Sequence, residues 1–267
     1  MMSASGILFS GGMAEQMKNI LGEEQFALDV GERRIYGVIH HVEKPAAVVV
    51  SAHGLNGERV DAHRILVLFA RECASNGVVS VRFDFSGCGI TEGEFRHSTI
   101  KKRTEEIAAV VEYIRAVYPG VPVFCHGFSD GSRVVYDSFE QIKPDGCVFW
   151  SPILLPSQAD DADMTDVPWQ RLSGERHPVK PFLGLWLGFD YIKEYGRLNE
   201  HGFGKTPVRV FRGKLDRSVD NSIKTILDSS EGTLCEIEDC GHIYETRAAT
   251  GQIIAQTLLW ITESCTL

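Results

Sequence analysis

The chain lacks the devices that hold very small or membrane-spanning folds together. It has no Cys-x-x-Cys pair, and its seven cysteines, at 73, 88, 125, 147, 235, 240 and 265, are an odd number without paired spacing. That pattern fits free thiols in a reducing compartment better than a disulfide framework. No His/Cys cluster has the spacing of a zinc site. No apolar run is long enough to span a bilayer, and the short stretch 6–9 cannot serve as the apolar core of a secretion signal. Cations are in the minority, 27 Lys and Arg against 36 Asp and Glu, for a net charge of −9. An acidic surface disfavours nucleic acid or an anionic membrane as partner. Internal repeats and low-complexity linkers are also missing, and 26 Gly and 10 Pro in 267 residues are too few for a disordered chain. The expectation is a soluble cytoplasmic protein, a single domain over 1–267.

What is present is 43% hydrophobic residues, enough for one full core. The first twenty or so residues are Gly- and Met-rich and predict a loose terminus. Segments 24–30 and 34–42 flank Gly31-Glu32 and predict a hairpin. The unbroken apolar run 46–52 predicts a strand buried on both faces. A helix is predicted over 61–76, closed by Gly77, then a strand over 78–85. In 104–118, Ile107, Val110, Val111, Ile114 and Val117 recur at helical spacing, as a core-facing stripe does, and Pro119-Gly120 ends it. Strands are predicted at 121–126, 146–151, 208–213 and 233–238, and helices at 132–140, 218–229 and 247–262. From residue 46 onward this is β-α-β-α, which calls for a mainly parallel sheet with helices on both faces and a site at the carboxyl ends of the strands.

Segment 155–205 breaks the rhythm. It is too long for a simple connection and carries Trp169, Phe182, Trp186, Phe189 and Tyr191, so it predicts a small, mostly helical cap. Those aromatics could line a pocket or form the cap's own core. The acidic run Asp160-Asp161-Ala162-Asp163 reads as a solvated loop.

The chemistry centres on Gly127-Phe128-Ser129-Asp130-Gly131, between a predicted strand and a predicted helix. Such a turn presents a serine hydroxyl above a sheet edge, with glycines where strand, turn and helix crowd together. A serine hydroxyl needs a base to take its proton and a carboxylate to orient that base. The base candidate is His242, in Cys240-Gly241-His242 after the strand at 233–238, with Gly241 expected to allow a tight loop. Other histidines lie in the hairpin (His40, His41), a helix (His63), a polar loop (His97) or the cap (His177, His201), and His126 comes too early to reach over Ser129. The acid candidate is Asp216, just past the strand at 208–213; Asp220 and Asp239 are placed less well. Two backbone N–H groups should receive an oxyanion, those of Asp130 and of Leu55 in His53-Gly54-Leu55-Asn56-Gly57, where Gly54 permits close approach. His53 itself reads as a loop brace, and Cys88, Cys125 and Cys240 as small core residues.

With these motifs and Arg82-Phe83-Asp84-Phe85-Ser86-Gly87-Cys88-Gly89, the chain resembles the α/β-hydrolase superfamily from about residue 24 to 263. It looks most like the branch of bacterial carboxylesterases, cinnamoyl-type esterases and serine-aminopeptidase-like lipases. The resemblance implies the α/β-hydrolase fold with a helical cap insertion, a triad of Ser129, Asp216 and His242, oxyanion donors Leu55 and Asp130, and a structural Asp84. It implies hydrolysis of a small-molecule ester or thioester with no metal or organic cofactor. Two positions depart from the family pattern: Asp130, where Gln, Met or Leu is commoner, and Ser132, where a second glycine often sits. A carboxylate suits a helix N-terminus but would oppose a developing oxyanion. Rival readings are a thioesterase or acyltransferase, for which Lys101-Lys102-Arg103 could meet a carrier's phosphate, and a non-catalytic ligand-binding protein. A peptidase or carbon–carbon hydrolase would use the same site. Dehalogenases and epoxide hydrolases of this fold use an Asp nucleophile and are disfavoured.

Overall fold

A computed structural model describes residues 22–155, 168–198 and 200–265. The loose terminus and the acidic run 160–163 of the sequence reading lie outside the described residues. The hairpin forms as β1 (Glu23–Val30) and β2 (Arg33–His40), turned at Gly31, whose φ is +62°. The apolar run becomes β3 (Ala47–Ala52), buried at every position.

The helix predicted over 61–76 begins later, as α1 (Ile65–Ser75). Asp61, His63 and Arg64 have φ of 57°, 53° and 62°, so the chain makes a short 3₁₀ turn (Ala62–Arg64) before the helix can start. After β4 (Val78–Phe83), α2 (Ile100–Val117) starts earlier than predicted because Thr99 caps it, its side chain accepting the Lys102 N–H at 3.1 Å. β5 (Val123–Phe128) leads through Ser129 into α3 (Gly131–Ile142), and β6 (Gly146–Trp150) follows. The remaining regular elements of the main body are β9 (Val208–Gly213), α5 (Asp220–Asp228), β10 (Thr233–Ile237) and α6 (Arg247–Ser264).

Eight strands form one sheet in the order β1-β2-β4-β3-β5-β6-β9-β10; only β2 runs against the rest. Alternation along β3 feeds two cores. Val48, Val50 and Ala52 join Ile107, Val110, Val111 and Ile114 of α2 on one face, while Ala47 and Val49 join α1 and α6 on the other. Val117, the last residue of the predicted stripe, is 39% exposed at the helix end. This is the α/β-hydrolase architecture. Its order reverses at β3, whose neighbours are β4 and β5, so the loops after β3 and β5 meet at one crevice.

The insertion between β6 and β9 differs from the helical expectation. Its described part is an antiparallel hairpin, β7 (Val179–Phe182) and β8 (Leu185–Gly188), followed by the short helix α4 (Phe189–Tyr195). Its underside forms a third cluster, in which Leu187, Tyr191 and Tyr195 pack on Cys88, Phe95 and Ile100. The insertion is also held by polar bonds, from Glu175 to Arg96 (2.6 Å) and to His97 (2.8 Å). Among the described residues, no helix is long and apolar enough to cross a membrane.

Candidate active site

Ser129 sits on a left-handed turn, with φ of +53°, between β5 and α3. A β-carbon on Gly127 would lie 2.5 Å from the Ser132 Cα, and one on Gly131 only 2.2 Å from the Ala52 carbonyl oxygen. Both glycines are therefore required by crowding. Gly131→Ala is expected to cost about 3 kcal/mol, read as a fall of about 6–12 °C in Tm; an unchanged Tm would contradict the crowding. Ser132, the departure at the other glycine position, is accommodated, and its hydroxyl donates to the Gly127 carbonyl at 2.9 Å.

The three sequence-predicted side chains converge. His242 Nδ1 is 2.7 Å from Asp216 Oδ2 and its Nε2 is 2.8 Å from Ser129 Oγ. An ionised Asp216 can only accept, so Nδ1 carries the hydrogen and Nε2 accepts from the serine hydroxyl. Asp216 is buried and also accepts the Ser218 hydroxyl (2.6 Å) and N–H (3.1 Å). Burial raises its pKa, but the bonds from His242 and Ser218 prevail and hold the carboxyl below its usual range. The rivals point elsewhere. Asp220 pairs with Arg212 at the surface, and His126 is buried with Nδ1 3.1 Å from Ser51 Oγ.

The loop carrying His242 is tight, but not because of Gly241, where a β-carbon would meet only Glu245, at 3.4 Å. The left-handed positions are Asp239 and Tyr244, both at φ +52°. The close approach is at Gly213, where a β-carbon would stand 2.2 Å from the Gly241 carbonyl. The buried Tyr244 anchors the loop, its hydroxyl donating to the Phe211 carbonyl (3.2 Å) and accepting from Ser151 (2.9 Å).

Beside Ser129 the backbone N–H groups of Leu55 and Asp130 have no acceptor among the described residues. Gly54 is not forced by packing, since a β-carbon there would sit 3.6 Å from Ser129 Cβ. His53 braces the loop: it is buried, with Nε2 accepting the Phe85 N–H (3.1 Å) and Nδ1 bonded to the Gly54 carbonyl (2.8 Å). Burial pushes its pKa down to about 3, so the ring is neutral.

A cleft of about 780 Å³ opens over Ser129 and His242. Apolar Leu55, Ile153, Phe182 and Ile243 line it, together with the carboxylates Glu58 and Asp61. A second cleft of about 700 Å³, between α1 and α6, brings together no nucleophile and base. Among the described residues no group of three or more His, Cys, Asp or Glu is arranged to hold a metal ion.

Residues 43–184, more than half of the chain, match the family described as Hydrolase_4, serine aminopeptidase, S33. The chain belongs to this family. No curated protein matches it. Solved structures of similar fold include Est1E from Butyrivibrio proteoclasticus with ferulic acid bound (18% identity, TM-score 0.73, 91% of this chain and 100% of that one). Others are the α/β hydrolase GrgF from Penicillium sp. sh18 (14%, 0.73, 92% and 99%) and the esterase domain of a Rhodothermus marinus protein (13%, 0.69, 90% and 98%). At such identities the likeness shows a shared fold.

Within this serine aminopeptidase-like hydrolase, two residues matter that the sequence did not single out. Asp61, read only as a helix start, faces the cleft, and its carboxylate accepts the N–H groups of Gly54 (3.2 Å) and Ala62 (2.7 Å). Burial pushes its pKa up. Arg103 belongs to the basic run 101–103 but is fully buried, so the run does not present three cations to a carrier. Its Nη1 donates to Asp130 Oδ2 (3.1 Å), which also accepts the Tyr191 hydroxyl (2.5 Å). Burial raises the Asp130 pKa, while Arg103 and the tyrosine favour its charged form.

Asp84 is the loop brace that the resemblance implied, accepting the N–H groups of Arg59 (2.6 Å) and Ile90 (3.0 Å) and pairing with the Arg59 guanidinium. All seven cysteines are free thiols, and Cys88, Cys125 and Cys240 are buried. The insertion's aromatics divide between the two roles left open: Phe182 lines the cleft, whereas Trp169 packs edge-on against Phe189 and Tyr191 is buried.

Proposed function

We propose that the chain is a serine hydrolase of carboxylic esters. The observation that carries this is the continuous bridge from Asp216 through His242 to Ser129, at 2.7 and 2.8 Å, beside two unoccupied N–H donors. Ser129 Oγ attacks the ester carbonyl carbon while its proton passes to His242 Nε2. The carbonyl oxygen takes up the negative charge and is held by the N–H groups of Leu55 and Asp130. As the intermediate collapses, the C–O bond to the alcohol breaks and His242 returns the proton to the departing oxygen. Water, deprotonated by the same nitrogen, then splits the acyl-enzyme and frees the acid and Ser129. Asp216 keeps the hydrogen on Nδ1 and stabilises the imidazolium that forms at each step.

The insertion acts as a cap over the cleft, with Phe182 and Ile153 forming part of an apolar wall for the acyl or alcohol group. Est1E, solved with ferulic acid bound, makes hydroxycinnamoyl esters a reasonable starting class. The test is covalent labelling by a fluorophosphonate followed by a panel of aryl esters and matched thioesters. Labelling is expected at Ser129 and not in His242→Ala, with ester turnover ahead of thioester turnover. A folded wild-type protein that resists the label would sink the proposal; a thioester preference of several orders of magnitude would move it to acyl-carrier chemistry.

A further inference from the structure

Asp130 places a carboxylate on the residue whose own N–H is to hold an oxyanion. An uncompensated negative charge there would oppose the charge that develops in the transition state. The side chain is 2% exposed and so cannot be screened by water. It is met instead by Arg103, which is 0% exposed.

The guanidinium uses each of its edges. Nη1 donates to Asp130 Oδ2 at 3.1 Å, Nη2 to the Leu55 carbonyl at 2.9 Å, and Nε to the Ser98 hydroxyl at 3.0 Å. Its Cζ lies over the Phe85 ring (5.0 Å to the centroid) and the Tyr191 ring (5.3 Å). One cation thus touches both residues proposed as oxyanion donors, through the side chain of one and the carbonyl of the other. Lysine, a point charge, could not make this planar set of bonds. Tyr191 adds the insertion to the same unit by donating its hydroxyl to Asp130.

We propose that Arg103 is a positioning residue that neutralises Asp130 and holds the Leu55 loop in register with it, so that the two N–H groups act as an oxyanion site. The inference rests on the esterase reading above.

The experiment compares wild type with R103M, R103K, D130N and R103M/D130N on one activated aryl ester. Each is also titrated with an aryl trifluoromethyl ketone, whose serine adduct carries an oxyanion. R103M is expected to lower kcat about 100-fold, the scale of losing one oxyanion donor, with KM changed less than about threefold, and to weaken the ketone by a similar factor. R103K is expected to fall between R103M and wild type. D130N keeps an oxygen to accept from Arg103 but removes the negative charge, so the ketone is expected to bind about two- to tenfold tighter. R103M/D130N is expected to recover at least tenfold of what R103M loses, because no buried carboxylate is left unpaired.

A merely structural pair would lower Tm in these variants and leave kcat and ketone affinity unmoved in those that fold, and that result overturns the inference. Should R103M not fold, D130N and R103K decide: unchanged or weaker ketone binding by D130N, with wild-type kcat in R103K, also overturns it. Failure of the underlying reading is distinct, since wild type itself would then neither label with fluorophosphonate nor turn over the ester.

Discussion

Ser129→Ala is expected to lower kcat for an activated aryl ester by on the order of 10⁵–10⁶-fold with no loss of secondary structure by circular dichroism. The reason is the geometry of one imidazole. His242 makes both of its ring hydrogen bonds to Asp216 and Ser129, so in the proposed reaction the proton leaving Ser129 has a single short route. His242→Ala is expected to cost about as much, and the double variant no more than either, because the groups act as a unit. Asp216→Asn is expected to fall less far, by about 10⁴-fold. An amide there can donate to Nδ1, which would leave the hydrogen on Nε2 and the base unable to accept. Steady-state kinetics on the four proteins checks the series, and Ser129→Ala retaining a tenth of wild-type turnover would rule out the acyl-enzyme route.

The second large effect is on stability, and it comes from histidines that take no part in the proposed proton transfer. His53 and His126 are fully buried, and burial pushes each down to about 3. In the unfolded chain both titrate near 6.5. The unfolded state therefore binds protons that the folded state refuses, and stability falls as pH drops below about 6.5 toward the folded-state values. Each histidine contributes a loss that rises toward about 1.4 kcal/mol per pH unit below pH 6.5, so the pair removes roughly 3 kcal/mol between pH 6.5 and 5. That is a large part of the stability of an ordinary domain.

The carboxyls of Asp61, Glu106 and Asp130, raised by burial, act in the opposite sense as they take up protons. Asp216, held low, loses its contribution only in stronger acid. Urea midpoints measured from pH 8 to 5 are expected to fall below about pH 6.5. Buried His40, which burial and Arg82 push down to about 4, adds to the loss in the same window, so the slope should drop by about a third in His126→Asn, a ring whose Nε2 has no hydrogen-bond partner to lose. Superimposable profiles for wild type and His126→Asn would show that this ring does not resist protonation in the folded state.

Much of the candidate site's geometry was legible because its residues sit where local patterns end. Ser129, Asp216 and His242 each follow a run recognisable as a strand, and a parallel sheet sends all strand ends to one rim. Arg103 was not legible. Next to Lys101 and Lys102 it looked like one more solvated cation, but neighbours on a helix point about 100° apart, and of the three only Arg103 turns fully inward. Asp61 was hidden in the same way. It stood only as the first residue of a predicted helix, whereas three positive-φ residues delay the helix and the carboxylate turns to accept the Gly54 N–H. The tight loop expected of Gly241 is set instead by crowding at Gly213, between two loops far apart in the chain. The cap was expected to be helical from its aromatics, but these suit a hairpin equally well, since aromatic side chains favour strands.

Hydrophobic runs, their period and the glycine-flanked serine set the parallel sheet, the order of the elements and the three side chains at its rim. These are local properties, carried by neighbours within one turn or one strand. The charge balance around the proposed oxyanion donors, the neutral state of the buried histidines and the shape of the cleft were decided only by folding. Each depends on groups distant in sequence: Arg103 against Asp130, His126 edge-on to Trp150, and Phe182 and Leu55 lining one cleft. Desolvation and short-range Coulomb energy come from such neighbours in space, and no stretch of sequence holds them together before the chain is folded.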